Sequence, residues 1–281
     1  MAGAGQFGEW VISFLIKNNF SVSFYEPIHE RSVKIQSKYS NSIAVNNLKE
    51  LAEINDIIIV CVPINKNIEV IQKIYYYNPE ILVVDISSFK KELFYRLNTD
   101  SFRIVSIHPM FGPGATDIVG KNIILIEESD KKFFSIIKNF LEKRGANVTL
   151  MSYKEHDTIM LKILSAPRIA LLIFWHIIKD IDINLLKKYE GFSFRLFRRV
   201  AEGIFYEDKT LTEELIKNAF TQQRKLPISL KKFIDAVSEN AGEKISLAKG
   251  YFALDSDFQA AYRDLYRMIE DISYLEEPIN D

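Results

Sequence analysis

Between residues 20 and 151, short β-branched runs alternate with amphipathic stretches, and after about Ser152 the strand signal stops. Candidate strands are 20–26, 57–62, 81–85, 103–107, 122–126 and 147–151, and candidate helices are 6–18, 29–39, 65–77, 90–97 and 130–143. The run Ile57-Ile58-Ile59-Val60-Cys61-Val62 has no polar alternation. Such a strand is buried on both faces, as in a parallel sheet between two helix layers. Strand–helix alternation of this kind predicts a doubly wound α/β domain over residues 1–152. Residues 153–281 read as all-helical, with stretches at 155–179, 184–205, 211–221, 228–239 and 257–275. Pro167 should kink the first of these.

Gly3-Ala4-Gly5-Gln6-Phe7-Gly8 matches G-x-G-x-x-G and runs straight into a helical pattern. Glycines let the backbone turn tightly and approach a pyrophosphate, and the helix start offers free N–H groups to its charge. Glu26 ends the next strand, where a carboxylate accepts ribose hydroxyls and repels a 2′-phosphate. The loop (Gly3, Gly5, Gln6, Phe7, Gly8) and Glu26 therefore predict a dinucleotide site that prefers NAD, with NADP second because Arg31 is near. Val62 and Pro63, at the end of strand 57–62, are expected to border the cofactor, since strand C-termini line the crevice of open α/β sheets. Only Met1 and Ala2 precede Gly3, whereas a strand of roughly five or six residues normally leads into such a loop. Losing four or so buried aliphatic side chains, at about 1.5–3 kcal/mol each, rivals a domain's stability of roughly 5–15 kcal/mol. The natural protein is therefore expected to start upstream of Met1.

Two further strand ends carry polar groups, Asp85-Ile86-Ser87-Ser88-Phe89-Lys90 and Ile107-His108-Pro109-Met110-Phe111-Gly112-Pro113-Gly114. His108, emerging into a Pro- and Gly-rich loop over the crevice, is a candidate base that takes a proton from an alcohol as hydride leaves the same carbon. Ser88 is placed to orient that ring or the substrate hydroxyl. His29 and His156 read as surface or capping residues, and His176 lies in the apolar helix. Cys61, the single cysteine, reads as a small buried hydrophobe and excludes an internal disulfide or cysteine-based metal cluster, so no metal is expected. With 36 basic and 37 acidic residues, nothing points to nucleic acid. No signal peptide opens the chain, and the greasiest run, 169–178, is about half a membrane span. A cytoplasmic protein with no membrane partner is expected. That run is apolar nearly all round, so it should be buried on most sides, against a second subunit in a homodimer.

His108-Pro109-Met110-Phe111-Gly112-Pro113 resembles the hallmark loop of the prephenate/arogenate dehydrogenase family, and Asp85 to Lys90 resembles its D-x-x-S-x-K segment. Glu155-His156-Asp157 and the Pro167 helix resemble the start of its C-terminal domain. Residues 191–201, Gly191 through Arg199 to Ala201, resemble its glycine-phenylalanine-arginine segment. The resemblance implies NAD-dependent oxidative decarboxylation of prephenate to 4-hydroxyphenylpyruvate, towards tyrosine. It makes His108 the catalytic histidine, Ser88 its orienting serine, and Arg199 the arginine that holds a substrate carboxylate in two parallel hydrogen bonds. Arg195 and Arg198 compete for that task. Arg168 stands where members carry a histidine and is a possible second cation for the substrate. Leu196, Arg198 and Gly114 also depart from the family pattern, which leaves arogenate as the runner-up substrate. Another two-domain hydroxy-acid or imine reductase, or a non-catalytic nucleotide-binding protein, are the remaining alternatives.

Overall fold

The computed structural model describes residues 1–97, 102–206, 209–252 and 257–273. The chain forms two compact units, Met1–Lys162 and Ile163–Asp281.

The first unit holds β1 (Val22–Phe24), β2 (Ser42–Ala44), β3 (Ile57–Val60), β4 (Leu82–Asp85), β5 (Ile104–Pro109), β6 (Asn122–Ile126) and β7 (Asn147–Met151). Its helices are α1 (Gln6–Lys17), α2 (His29–Lys38), α3 (Leu48–Glu53), α4 (Ile64–Tyr77), α5 (Lys91–Arg96), α6 (Lys131–Glu142) and α7 (Tyr153–Ile163). Five strands form one sheet in the order β3-β4-β5-β6-β7, and β1 and β2 form a parallel pair. Ala2 bridges both groups, pairing in parallel with Tyr25 and with Val60. Its N–H donates to Ile59 O at 2.9 Å and its carbonyl accepts from Cys61 N at 2.8 Å. On the other side Tyr25 N donates to Met1 O at 2.9 Å and Gly3 N to Tyr25 O at 3.0 Å. Met1 and Ala2 thus occupy a strand position beside both β1 and β3, buried, with edge groups on each side satisfied.

Both sheet faces are covered, as the apolar run of β3 requires. Val83 of β4 joins a core with Ile58, Ile71, Ile74 and Leu93. Its neighbours Leu82 and Val84 point the other way, into a core with Val105, Leu125 and Leu141. Residues alternate between layers because successive strand side chains alternate faces. The doubly wound α/β expectation therefore holds, with one difference. β5 and β6 are antiparallel, with His108 opposite Ile124 and Pro109 opposite Ile123. That pairing carries β5 two residues beyond the expected 103–107, so His108 lies in a strand rather than a loop. β2 and α3 were not expected, although Asn47, whose side chain accepts from Glu50 N, caps α3 recognisably.

The second unit is helical, with α8 (Ser165–Ile178), α9 (Ile183–Tyr189), α10 (Phe192–Tyr206), α11 (Lys209–Gln222), α12 (Leu226–Glu239), α13 (Ala241–Phe252) and α14 (Phe258–Ser273). The helix expected at 155–179, interrupted by Pro167, is seen as α7 and α8, parted only at Leu164, which keeps helical φ and ψ. Pro167 has no N–H for the carbonyl of residue 163, and the interruption falls there. Arg168 Nη1 donates to the Leu164 carbonyl at 2.8 Å. The expected helix 184–205 is likewise split at Glu190–Gly191, and α13 was missed because Ile245, Leu247 and Tyr251 lie exposed, leaving no apolar stripe to read. The run 169–178 is not buried on most sides within one chain, since Leu172, Ile173, Trp175 and Ile177 are exposed. Counted as one stretch, Tyr153–Ile178 is long and apolar enough to cross a membrane by length and composition, which run 169–178 alone is not. However, α7 buries His156, Asp157, Met160 and Leu161, so that half of the stretch is a core element of the first unit.

Candidate active site

The glycine loop leads from Ala2 into α1. Gly3 has a φ of +85°, and a Cβ there would meet Cys61 O at 2.2 Å. A Cβ at Gly8 would meet Gly3 O at 2.4 Å. Only glycine fits either place, the first for its left-handed backbone and the second for the helix–loop approach. A Cβ at Gly5 would meet nothing within 4 Å, so the loop is open to a ligand there. Gly5 N-caps α1 without a side-chain hydrogen bond, and Gln6 is exposed while Phe7 is half-buried. Glu26 is buried beside this loop. Its Oε2 accepts from Ala4 N at 2.9 Å and its Oε1 from Ile28 N at 3.1 Å, with Arg31 Nη1 3.4 Å away. The carboxylate both ties the loop down and keeps acceptor capacity, having about four lone-pair positions. Val62 is half-buried and exposed Pro63 caps α4. Open backbone, helix start and carboxylate fit a dinucleotide. Cys61 flanks the loop with its thiol pushed up to about 12, by burial first and by the Glu26 charge second, so it is not a nucleophile.

The histidine loop folds onto the same helix. Phe111 packs on Phe7 and Trp10, with ring centroids 5.9 and 5.1 Å apart, and Trp10 Nε1 donates to Ala115 O at 2.5 Å. His108 and the glycine loop are thereby held together by aromatic packing.

Beneath His108 lies an ion pair with no exposed surface. Lys90 Nζ donates to Asp85 Oδ2 and to Ile107 O, both at 2.7 Å. Asp85 also accepts from Asn67 Nδ2 at 2.8 Å, Ser106 Oγ at 2.7 Å and Ser87 N at 3.1 Å. Burial alone would push the Asp85 carboxyl up, but the Lys90 charge and these hydrogen bonds prevail and hold it below the usual carboxylate range. His108 lies well below the ordinary imidazole range, through burial first and then the nearby Lys90 charge. It is a neutral imidazole at neutral pH, which a base must be.

His156 is the principal correction. Expected at the surface, it is fully buried, and its Nε2 lies 2.9 Å from His108 Nδ1. Its Nδ1 lies 2.7 Å from Asp157 Oδ1, and Asp157 also accepts from Lys90 N at 2.9 Å and Lys91 N at 2.8 Å. The ring partner of His108 is therefore His156 rather than Ser88, which sits half-buried in the loop after β4. His156 and Asp157 share the buried face of α7 with Met160 and Leu161, four residues on. That i, i+4 spacing was the signal available in the sequence. His29 and His176 are exposed.

The candidate arginines belong to the second unit. Arg198 is buried, donating to Glu190 from Nε and Nη2, both at 2.7 Å, and to Glu202 at 2.6 Å. Its carboxylate-binding face is occupied, so it braces α10 against Glu190, two residues before the helix begins. Arg195 donates to Glu190 at 3.0 Å with its side chain 31% exposed, and Arg199 to Glu202 at 2.9 Å with 42% exposed. Arg168 is buried.

Residues 22–150 match the nucleotide-binding domain of prephenate dehydrogenase. A probable arogenate/prephenate dehydrogenase of Methanocaldococcus jannaschii is 25% identical over 193 residues, 66% of this chain. The match spans 43% of that relative's length. Among solved structures, prephenate dehydrogenase from Aquifex aeolicus in complex with hydroxyphenyl propionate and NAD+ aligns with a TM-score of 0.68 and 18% identity, covering 97% of this chain and 94% of that one. Arogenate dehydrogenase from Synechocystis aligns with a TM-score of 0.64 and 17% identity, covering 94% and 98%. These structures share the fold of this chain, a Rossmann-like domain followed by helices.

Proposed function

We propose, on the premise that the chain belongs to the prephenate/arogenate dehydrogenase family through its nucleotide-binding domain, that it carries out NAD-dependent oxidative decarboxylation of prephenate to 4-hydroxyphenylpyruvate. The observation that carries this reading is the neutral, buried His108 packed through Phe111 against the helix of an open glycine loop. Gly3, Gly5, Gln6, Phe7, Gly8, Val62 and Pro63 would hold the dinucleotide, and Glu26 would accept from its ribose. Bound nicotinamide supplies the hydride acceptor. His108 takes the ring hydroxyl proton as the carbinol carbon is oxidised. Loss of carbon dioxide then leaves the carbon–carbon bond electrons in the ring, which becomes aromatic, and its oxygen recovers a proton. Ser88 is assigned to the substrate hydroxyl, since His156 takes the Nδ1 side of the ring.

The test is turnover of the purified protein with prephenate and with arogenate, each with NAD and NADP. Prephenate with NAD should be fastest. No turnover with any pair would overturn the reading, and a preference for NADP would overturn the role of Glu26.

Arg199 is assigned to a substrate carboxylate, with Arg168 and Arg195 as further cations, because it is the most exposed of these arginines. Arg199→Ala should raise the Michaelis constant by a factor equivalent to about 2–3 kcal/mol of charged hydrogen bonding, with little change in turnover number. An unchanged constant would move the role to Arg195 or Arg168.

The protein is further read as a cytoplasmic homodimer. Among the described residues of the second unit the buried apolar side chains are Leu171, Ala201, Leu215 and Ala219, whereas Leu172, Ile173, Trp175 and Ile177 are exposed on α8. So small a core argues for a second copy over that face. Light scattering should give the dimer mass, and a monomer, or recovery with membranes, would refute this.

A further inference from the structure

We infer that His156 and Asp157 form a proton relay behind His108, setting its tautomer and receiving the positive charge it acquires. This rests on His108 being the base. Asp157 takes three donors, the N–H groups of Lys90 and Lys91 and His156 Nδ1 at 2.7 Å, so it acts only as an acceptor. His156 Nδ1 must then carry a hydrogen, and in the neutral ring Nε2 has the lone pair. Across the 2.9 Å contact, His108 Nδ1 is therefore the donor. Its own Nε2 keeps the lone pair for the substrate. Two residues that never touch substrate thus decide which nitrogen of the base is basic.

The same contacts answer an electrostatic problem. The groups around His108 are Lys90 and Asp85 beneath it and His156 on α7, itself backed by Asp157. Asp85 is already neutralised by Lys90 at 2.7 Å, and Lys90 also contacts the carbonyl of Ile107, next to His108. An imidazolium at His108 would be desolvated and face a lysine with no free counter-charge. An imidazolium at His156 would sit against the Asp157 carboxylate. As Nε2 of His108 gains the hydroxyl proton, its Nδ1 proton passes to His156 Nε2. His108 ends neutral with hydrogen on Nε2, and His156 ends charged beside Asp157. When the ring becomes aromatic its oxygen takes the Nε2 proton and the relay runs back, so no proton is gained or lost by the protein. His156 and Asp157 are positioning residues in this scheme.

Nitrogen-15 NMR of the histidine-labelled protein tests the tautomer without turnover. The four histidines are assigned by single His→Asn variants. His108 should carry hydrogen on Nδ1 and none on Nε2, and His156 should carry hydrogen on Nδ1. Hydrogen on Nε2 of His108 would overturn the relay. His156→Gln keeps an acceptor for His108 Nδ1 but takes no proton. It should preserve the His108 tautomer yet lower kcat about 10²-fold, the scale of a lost proton-transfer group, with Michaelis constants and NAD affinity within about threefold. A kcat within about threefold of the parent would also overturn it. Should this variant not fold, the tautomer in the unmodified protein still decides. If His108→Asn retains turnover, the proposed function fails. If His108→Asn is inactive and His156→Gln active, the relay alone fails.

Discussion

His108→Asn should lower turnover by about two to four orders of magnitude, the usual contribution of a general base, while NAD affinity stays nearly constant. Asparagine retains an N–H that can meet His156 Nε2, so the local hydrogen bond survives and only the basic atom is lost. The glycine loop and Glu26, which would hold the dinucleotide, do not touch this side chain, which is why binding and turnover should separate. A kcat within about threefold of the parent would remove His108 from the mechanism. The depressed pKa gives an independent check. Below about pH 6.5 the unfolded chain protonates His108 while the folded chain does not, so this group lowers stability as pH falls from there to the folded pKa. In His108→Asn that slope should flatten, which thermal melts across this window would detect. The parent's kcat/KM should also show no loss near pH 6.5 from protonation of His108.

The second large effect is on stability. Lys90→Met should cost about 3–5 kcal/mol, the range for removing one partner of a buried ion pair. The carboxylate of Asp85 would remain without exposed surface and without its counter-charge, held only by Asn67, Ser87 and Ser106. For a unit of this size the loss corresponds to roughly 10 °C in Tm. Its pH dependence has a definite sign. In the parent, Asp85 lies below its usual range, so its contribution is present above about pH 3.9 and is lost as pH falls through the folded value. In Lys90→Met the carboxyl should move above that range and become protonated on folding, so the variant gains stability as pH falls. The gap between the two proteins should therefore narrow from pH 7 towards pH 4. Asp85→Asn combined with Lys90→Met should cost less than Lys90→Met alone. A constant gap, or a loss under about 1 kcal/mol, would mean that the pair is not the brace it looks like. The lysine also ties the Ile107 carbonyl beside His108, so Lys90→Met should reduce activity even where the protein remains folded.

Much of the first unit is legible without coordinates, for identifiable reasons. The uninterrupted apolar run 57–62 reads as a strand covered on both sides, and Ile57–Val60 forms one with Ile58 and Val60 buried, while the spacing of Gly3, Gly5 and Gly8 gains weight only from the helix behind it and from Glu26 at the end of the next strand. β2 and α3 escaped because their elements are only 3 and 6 residues long, too short for a periodic pattern to accumulate. Asn47 with Glu50 was the one cue. The interruption expected from Pro167 within 155–179 falls at Leu164, because the proline has no N–H to offer the carbonyl of residue 163.

Periodicity and local chemistry determine what each segment can be. They placed a doubly wound domain before a helical one, a glycine turn at residues 3–8 leading into a helix, Glu26 at a strand end and His108 at another. Only the tertiary structure decided what His108 touches. His156 is 48 residues away in the chain and Asp157 is 67 from Lys90, so no local pattern specifies their meeting. Antiparallel pairing of β5 with β6 carries His108 into the sheet, and packing of α7 turns His156 inward and places Asp157 under two backbone N–H groups. A histidine next to an aspartate in a sequence reads as a polar pair for the surface. It becomes buried only because the fold supplies a partner for every polar atom that burial removes from water, and that supply is a property of the assembled unit.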